Sequence, residues 1–387
     1  MAGIVVQPRA RIFHGHEWVF AYEVKKAFGN PQPGEVIALK DFKDRRIGSA
    51  IYNPQSQIVA RRFSRRKQDL DGDFFLRRLG LAAETRERLG IPAEARRLVW
   101  SESDGLPGVI IDQFGPHLVL QTLTLAMDQR KGLLKEALVE LFQPESIVER
   151  NDSTIREAEG LERLTGMLHG ETPPPFHCEI AGIHYTLDLA DGQKTGFYLD
   201  QVENHLKAAG HARGRRVLDA FCNQGGFGLQ AKKAGASSVF AIDSSESAVA
   251  AGRANSMANL LEIDFEVANV FDRLRQFEED QFDYIILDPP TFSRSRKALK
   301  DALRGYKEIH LRALRILKPG GLLATFSCSH HVSRSDFLQN IREASVDAKR
   351  SLRLLETFGQ RLDHPVLPTL PESEYLKGFL LEVCPSW

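Results

Sequence analysis

The 387-residue sequence is poor in cysteine: only Cys178, Cys222, Cys328 and Cys384 occur, and none forms a Cys-x-x-Cys pair. That scarcity excludes a disulfide framework and zinc-type spacing, and it fits a reducing compartment where thiols stay free. No uninterrupted apolar run approaches the ~20 residues that a membrane helix needs. The opening stretch Met1 to Arg9 lacks the basic-then-apolar layout of a secretory signal, so a soluble, cytoplasmic protein without a membrane partner is expected. An excess of one charge is missing too, with 51 Lys+Arg against 51 Asp+Glu. A Gly-x-Gly-x-x-Gly fingerprint is absent, which sets a nicotinamide oxidoreductase far down the order of readings. No ligand pattern for a metal is present, and no metal is expected.

What is present is unevenly distributed. The first 70 residues hold 13 basic and 6 acidic side chains, and five of the basic ones fall in Arg61-Arg62-Phe63-Ser64-Arg65-Arg66-Lys67. A basic unit on a mildly acidic body suggests a polyanion contact made by one module, with Arg61, Arg62, Arg65 and Arg66 as candidates. The alternative is a solvated segment whose charge serves solubility.

Hydrophobic patterning divides the chain into three expected domains, 1–70, 71–185 and 186–387. Short strands at 36–39, 46–52 and 58–63, separated by Pro/Gly turns, predict a small β-barrel. Helical spacing over 73–89 and 128–142, with strands at 98–100, 108–112, 118–122 and 146–149, predicts a small central α/β domain. The stiff Thr172-Pro173-Pro174-Pro175 linker leads to a hairpin around Ala181-Gly182. Beyond it, buried strands at 217–221, 239–243, 284–288 and 322–326 alternate with helices, and a third strand should end near Asn269. Lys318-Pro319-Gly320-Gly321 reads as the break before the last of these. This alternation predicts a doubly wound Rossmann-like sheet with its ligand cleft at the carboxyl ends of the strands.

The motifs fall at those ends. Asp219-Ala220-Phe221-Cys222-Asn223-Gln224-Gly225-Gly226 is a strand, an acidic residue and a glycine loop opening a helix. It matches the S-adenosylmethionine (SAM) loop of class I methyltransferases, where glycines admit the ligand to the backbone. Asp243, at the end of the second strand, can accept both ribose hydroxyls, and Asn269 can contact adenine. Asp288-Pro289-Pro290-Thr291 ends the fourth strand; Thr291 stands where amino-group methyltransferases carry a base-stacking aromatic, which weakens an exocyclic-amine reading. Ser327-Cys328-Ser329 ends the fifth. A thiol beside a carboxylate suits cytosine C5 chemistry: thiolate addition at C6 makes C5 nucleophilic, an acid at the N3 edge assists, and a base later removes the C5 proton. Cys328 and Asp288 are therefore the expected catalytic pair, set against the alternative that Cys328 merely packs in a strand. Cys178, Cys222 and Cys384 carry no expected chemistry. Arg294, Arg296, Lys297 and Lys300 follow the Asp-Pro-Pro turn as a basic rim.

Over essentially its whole length the chain resembles the RlmI-type ribosomal RNA large-subunit methyltransferases, which make 5-methylcytosine in 23S rRNA. The resemblance rests on Gly15-His16-Glu17-Trp18-Val19-Phe20, Glu102 to Gly108, Glu149-Arg150-Asn151-Asp152, Gln193 to Gln201, Asp363-His364-Pro365 and Pro371 to Phe379. It implies an N-terminal RNA-binding PUA barrel, a central α/β domain and a SAM-dependent methyltransferase domain. It implies that Cys328 is the nucleophile, Asp288 the carboxylate of the Asp-Pro-Pro motif and Asp243 the ribose acid. It places Lys194, Thr195, Gly196, Phe197 and Tyr198 on the cofactor side with Asp219, Phe221, Asn223, Gly225, Gly226, Asp243, Asn269 and Asp288. The implied partner is 23S rRNA or a large-subunit precursor, and a homodimer is a further expected partner. Val202 stands where an Arg is usual, Asn269 where an Asp is more common, and Asn223-Gln224 is an unusual pair before the glycines. Two rival functions remain at this point: SAM-dependent methylation of another atom, or RNA binding in ribosome assembly without catalysis.

Overall fold

A computed structural model of the chain describes residues 2–189, 196–292 and 299–385. The chain forms two compact units. The first holds residues up to Cys178 with Leu187–Leu199 and Leu362–Ser373; the second holds Glu179–Thr186, Asp200–Arg361 and the residues from Glu374 onward.

In the first unit, β1 (Gly3–Val6), β2 (Trp18–Phe20), β3 (Val24–Phe28), β4 (Val36–Lys40), β5 (Arg46–Tyr52) and β6 (Ile58–Ser64) form a sheet in the order β2-β6-β5-β4-β1-β3. Only β1 and β4 run parallel. Alternate residues such as Ile37 and Leu39, or Ile4 and Val6, turn inward to a small apolar core with Val19, Ala50 and Val59. Helix α1 (Gly72–Arg88) follows, capped by the Asp71 side chain on the Phe74 N–H at 2.8 Å. Its buried face, Phe74, Phe75, Leu79, Ala82 and Ala83, packs on a second core.

That core is closed by β7 (Arg96–Trp100), β8 (Val109–Phe114), β9 (His117–Thr122), β10 (Ser146–Asn151) and β11 (Leu164–His169), in sheet order β11-β10-β9-β8-β7. The helix expected over 128–142 is two helices, α2 (Leu125–Asp128) and α3 (Lys131–Phe142). The break lies at Arg130, whose backbone (φ −108°, ψ 15°) leaves the helical region and whose N–H bonds the Met127 carbonyl (3.1 Å), while the Asp128 side chain accepts from Thr122 Oγ1 (2.7 Å) and Arg156 Nη1 (2.9 Å). The expected hairpin forms as β12 (Phe176–Ile180) and β13 (Ile183–Leu187), its turn residues Ala181 and Gly182 both at positive φ.

In the second unit, α4 (Val202–Ala209) precedes β14 (Arg216–Ala220), α5 (Gly226–Lys233), β15 (Ser238–Asp243), α6 (Glu246–Ala258), β16 (Asp264–Val267), α7 (Val270–Leu274) and β17 (Phe282–Leu287). Then come α8 (Leu299–Ile316), β18 (Leu317–Ser327), α9 (Arg334–Asp347), β19 (Leu352–Gly359) and β20 (Lys377–Val383). The sheet order is β16-β15-β14-β17-β18-β20-β19, parallel except for β20. Both faces are covered. Leu218, Ala220, Ile285 and Leu287 point to α8 and α9, while Val217, Tyr284 and Ile286 point to the Ala208 and Phe227 side. Two sequence expectations shift. The third strand ends at Val267, two residues short of Asn269, and β18 starts at Leu317, so Pro319-Gly320-Gly321 is an irregularity inside its pairing with β17 and not the break before it.

Candidate active site at the carboxyl ends of the parallel strands

The order β15-β14-β17-β18 sets four strand ends side by side, and these carry Asp243, the Phe221–Gly225 loop, Asp288 and Cys328. The loop after β14 is wound tightly: Phe221 (φ 66°), Asn223 (φ 49°) and Gly225 (φ 86°) all lie in the left-handed region. An aromatic residue there is costly and persists only where the surroundings fix it. The Asn223 N–H donates to Asp243 Oδ2 (2.9 Å) and the Ser245 N–H to Asp243 Oδ1 (2.9 Å), so the loop and the second strand end are tied to one carboxylate. Each of its oxygens retains a lone pair for a further donor.

Asp219 is fully buried. Its Oδ2 accepts the Gly228 N–H at 2.7 Å, while Oδ1 has no partner among the described residues. Burial, reinforced by Asp243 and opposed by the Gly228 N–H, pushes this carboxyl up to about 7. A Cβ on Gly226 would sit 2.5 Å from the His205 ring, so only glycine lets α5 begin here. An unsatisfied buried carboxylate oxygen, a helix start and a second carboxylate at the adjacent strand end fit an amino-acid-bearing nucleoside such as SAM. Asn269 is exposed and caps α7 by accepting the Asp272 N–H (3.3 Å).

Asp288 is half-buried. Gln201 Nε2 donates to its Oδ1 (3.0 Å), and Gln201 is itself held by Asn204 Nδ2 (2.6 Å), which also reaches the Gly359 carbonyl (2.9 Å). Cys328 is half-buried, its Sγ 3.0 Å from Thr291 Oγ1, and its neighbours Ser327 and Ser329 are fully buried. The Tyr306 hydroxyl on α8 donates to Ser327 Oγ (2.9 Å) and lies 3.2 Å from Ser329 Oγ. Burial pushes that phenol up to about 12 against the pull of the two serines, and both Cys328 and Asp288 add to the upward shift. Thiol, carboxylate and phenol thus share one neighbourhood. One turn along α8, His310 Nε2 meets Thr325 Oγ1 (2.9 Å) and Nδ1 meets Asn340 Oδ1 (3.1 Å); burial pushes this ring down to about 4, so it is neutral and structural.

Gln201, Asn204, Thr291 and Tyr306 were not expected as site residues. The Gln201-x-x-Asn204 spacing was the visible signal for the first two, since residues three apart share a helix face. Thr291 belongs to the Asp-Pro-Pro turn already singled out, but its contact with Cys328 does not show in the sequence; Tyr306 carries no local signature, because α8 and β18 meet only in the fold. Cys222 is buried, and desolvation together with Asp219 and Asp243 holds its thiol well above the usual range. Gly196, Phe197 and Tyr198 lie in the first unit, Phe197 being buried. Lys194, Thr195, Arg294, Arg296 and Lys297 lie outside the described residues.

The N-terminal basic run separates into two kinds of arginine. Arg61 Nη1 bonds Glu102 (2.7 Å) and its guanidinium lies 4.9 Å from the Trp18 ring centre; Arg62 Nε bonds Glu17 (2.6 Å) and is buried. These two are internal ion pairs, which corrects their expected place on an RNA-facing surface. Arg65 and Arg66 are exposed. With the half-buried Arg78 they line a groove of about 570 Å³ that also takes in Phe63, Leu81 and Leu367. The carboxylates along it are already engaged: Glu17 by Arg62, Glu102 by Arg61, and Asp104 by Arg86.

The sheet order and the strand-end site define a doubly wound class I methyltransferase fold. Residues 162–381 match the S-adenosylmethionine-dependent methyltransferase family model, and residues 7–65 match a PUA-like domain. A curated relative from Photobacterium profundum, "Ribosomal RNA large subunit methyltransferase I", is 41% identical over 374 residues, covering 94% of each chain. A second of that name from Vibrio vulnificus is 39% identical over 380 residues and 95% of each chain. The chain therefore belongs to the ribosomal RNA large subunit methyltransferase I family of SAM-dependent methyltransferases. The fold is also that of a methyltransferase solved in complex with SAH (TM-score 0.85, 23% identity, 99% of this chain and 100% of that one). A methyltransferase from Streptococcus mutans matches at TM-score 0.84 with 23% identity and the same coverage. Among the described residues no helix is long and apolar enough to cross a membrane.

Proposed function

We propose that the protein methylates C5 of a cytosine in large-subunit ribosomal RNA, 23S rRNA or its precursor, through a covalent bond between Cys328 and cytosine C6. The observation that carries this reading is the half-buried Cys328 sulfur at the end of β18, hydrogen-bonded to Thr291 and one strand from Asp288. SAM, when bound, supplies an electrophilic methyl group. Phe221, Asn223, Gly225 and Gly226 would shape its loop, Asp243 would take the ribose, and Asp219 would face its polar amino-acid end. Asn269, at the N-terminus of α7, would meet the adenine. The cofactor-side motif at Lys194, Thr195, Gly196, Phe197 and Tyr198 belongs to the same reading by its resemblance to the family.

The Cys328 thiolate adds to C6, and the electron pair of the C5–C6 double bond is delivered to C5, which takes the methyl. Asp288, oriented by Gln201, meets the N3 edge and assists the addition. Loss of the C5 proton to a base then restores the double bond and expels the thiolate, so the enzyme returns unchanged. The target base must leave any stack, because C6 is inaccessible inside a duplex. The cationic groove of Arg65, Arg66 and Arg78 would hold the RNA backbone, and Arg294, Arg296 and Lys297 would add charge next to the Asp-Pro-Pro turn. Thr291 gives the base no aromatic platform at the Asp-Pro-Pro turn, which favours C5 over an exocyclic amine. The test is to methylate large-subunit rRNA with the purified chain, digest it and identify the product by mass spectrometry. 5-Methylcytidine is expected; a methylated guanosine or adenosine would reject the reading.

A further inference from the structure

Lys377 opens β20 and pairs in register with Ser327, the residue before Cys328. Its side chain is buried at 5% exposure and runs into the turn that follows β18. There Nζ donates to the Ser329 carbonyl (2.7 Å) and to the Val332 carbonyl (2.7 Å). Among the described residues no carboxylate lies within ion-pair distance of it. The nearest candidate in sequence, Glu374, is spent on Arg334 (2.9 Å). A buried ammonium without a counter-charge costs several kcal/mol, and a neutral side chain of similar length would fill the same space at less cost. Burial accordingly pulls Lys377 down to about 8, and among its charged neighbours Cys328 opposes that shift most, ahead of Glu374. The field also reaches the other way along the turn: the His330 ring, packed against Tyr375 at 5.7 Å, is held low by desolvation and by Lys377.

We propose that Lys377 is a positioning residue for Cys328: its ammonium, anchored to the two carbonyls of the turn, is the fixed counter-charge that keeps the sulfur ionised before RNA arrives. The thiol proton passes to solvent, and the attacking thiolate is restored at each turnover. Among the described residues, the charged and titratable groups around the sulfur are Asp288 from the β17 end, Tyr306 from α8, His330 and His331 from the turn itself, Arg334 from α9, and Glu374 with Lys377 at the start of β20. Asp288 disfavours a thiolate, Glu374 and Arg334 offset each other as a pair, and the Tyr306 phenol stays neutral. Among the described residues Lys377 is thus the cation set against Asp288. A neighbouring cation, lysine among them, is one established way to hold a cysteine as thiolate at neutral pH.

The inference rests on Cys328 being the reacting atom, but its test reads the sulfur and needs neither RNA nor methyl donor, so the two can fail separately. Iodoacetamide labelling of the full chain is followed from pH 5.5 to 9.5 by peptide mass spectrometry, with Cys384 as internal reference, in the wild type, Lys377→Met and Lys377→Arg. At pH 7 Lys377→Met should label Cys328 about tenfold more slowly, with its profile moved to higher pH, while Lys377→Arg stays within about threefold of wild type. Superimposable wild-type and Lys377→Met profiles would overturn the proposal. So would equal slowing in both variants without a moved midpoint, which is the mark of a merely structural role. If Lys377→Met does not fold, the wild type alone decides: Cys328 must ionise at lower pH than Cys384, and coincident or reversed midpoints reject the counter-charge.

Discussion

Two buried charged groups, one from each unit, are used in opposite ways. In the first unit, Arg86 is fully buried and its guanidinium makes four hydrogen bonds: two to Asp104 (2.5 and 2.8 Å), one to the Arg97 carbonyl (2.9 Å) and one to the Asp363 carbonyl (2.7 Å). Asp363 then accepts the Arg97 N–H at 2.9 Å, so α1, β7 and the 362–373 segment share one closed network. In the second unit, the buried groups at the strand ends keep capacity in hand. Asp219 Oδ1 is unpartnered among the described residues, and Lys377 meets two carbonyls but no carboxylate. A charge-paired network of this kind holds architecture together, whereas a buried carboxyl with an unmet oxygen at a strand end has bonding capacity left for a ligand.

The largest effect should come from opening the closed network. Arg86→Met leaves Asp104 buried without its cation and should cost about 3–5 kcal/mol in urea unfolding, while SAM affinity of the folded protein changes less than about twofold. Loss of SAM binding without loss of stability would erase the distinction between the units. A smaller effect is expected at the open end. The Asp219 carboxyl, raised to about 7 in the folded state, stabilises the fold when protonated and loses that advantage as pH climbs from its ordinary range through about 7. Relative to Asp219→Asn, the wild type should therefore lose on the order of 2 kcal/mol between pH 5 and pH 8. A gap that stays constant or grows toward acid would show that Asp219 is not held protonated by burial. Smallest is the exposed surface. Arg65→Ala with Arg66→Ala should weaken RNA binding by roughly tenfold and lower the salt-dependence slope by about two, with thermal stability unchanged. An unaltered slope would remove the groove from the RNA path.

The parallel core of the second unit was legible because β14, β15 and β17 carry short apolar runs with an acidic residue at or beside the carboxyl end, a pattern that suits a strand covered on both faces. The N-terminal domain was legible differently, as short strands between Pro/Gly turns with its PUA character implied by the family resemblance, and the family matches agree for it and for the methyltransferase domain. The edge elements were not. β19 (Leu352–Gly359) mixes exposed Leu354 and Leu355 with charged residues, and β16 is four residues long, so neither gives a clear period. At the candidate site, motif reasoning proposed Asp219, Asp243, Asp288 and Cys328, each from its expected place at a strand end. It missed Gln201, Tyr306 and Lys377, whose roles come from elements far apart in the chain. It misjudged Arg61 and Arg62, because a basic run does not show which of its members meets Glu102 or Glu17.

The account depends most on the bond between Cys328 and the pyrimidine ring, and RNA carrying 5-fluorocytidine measures it directly. Fluorine at C5 cannot leave as a proton does, so the adduct should persist through denaturation and map by mass spectrometry to Cys328. It should be absent in Cys328→Ala, which should still bind SAM. A trapped complex on another residue, or one that survives in Cys328→Ala, would contradict the mechanism.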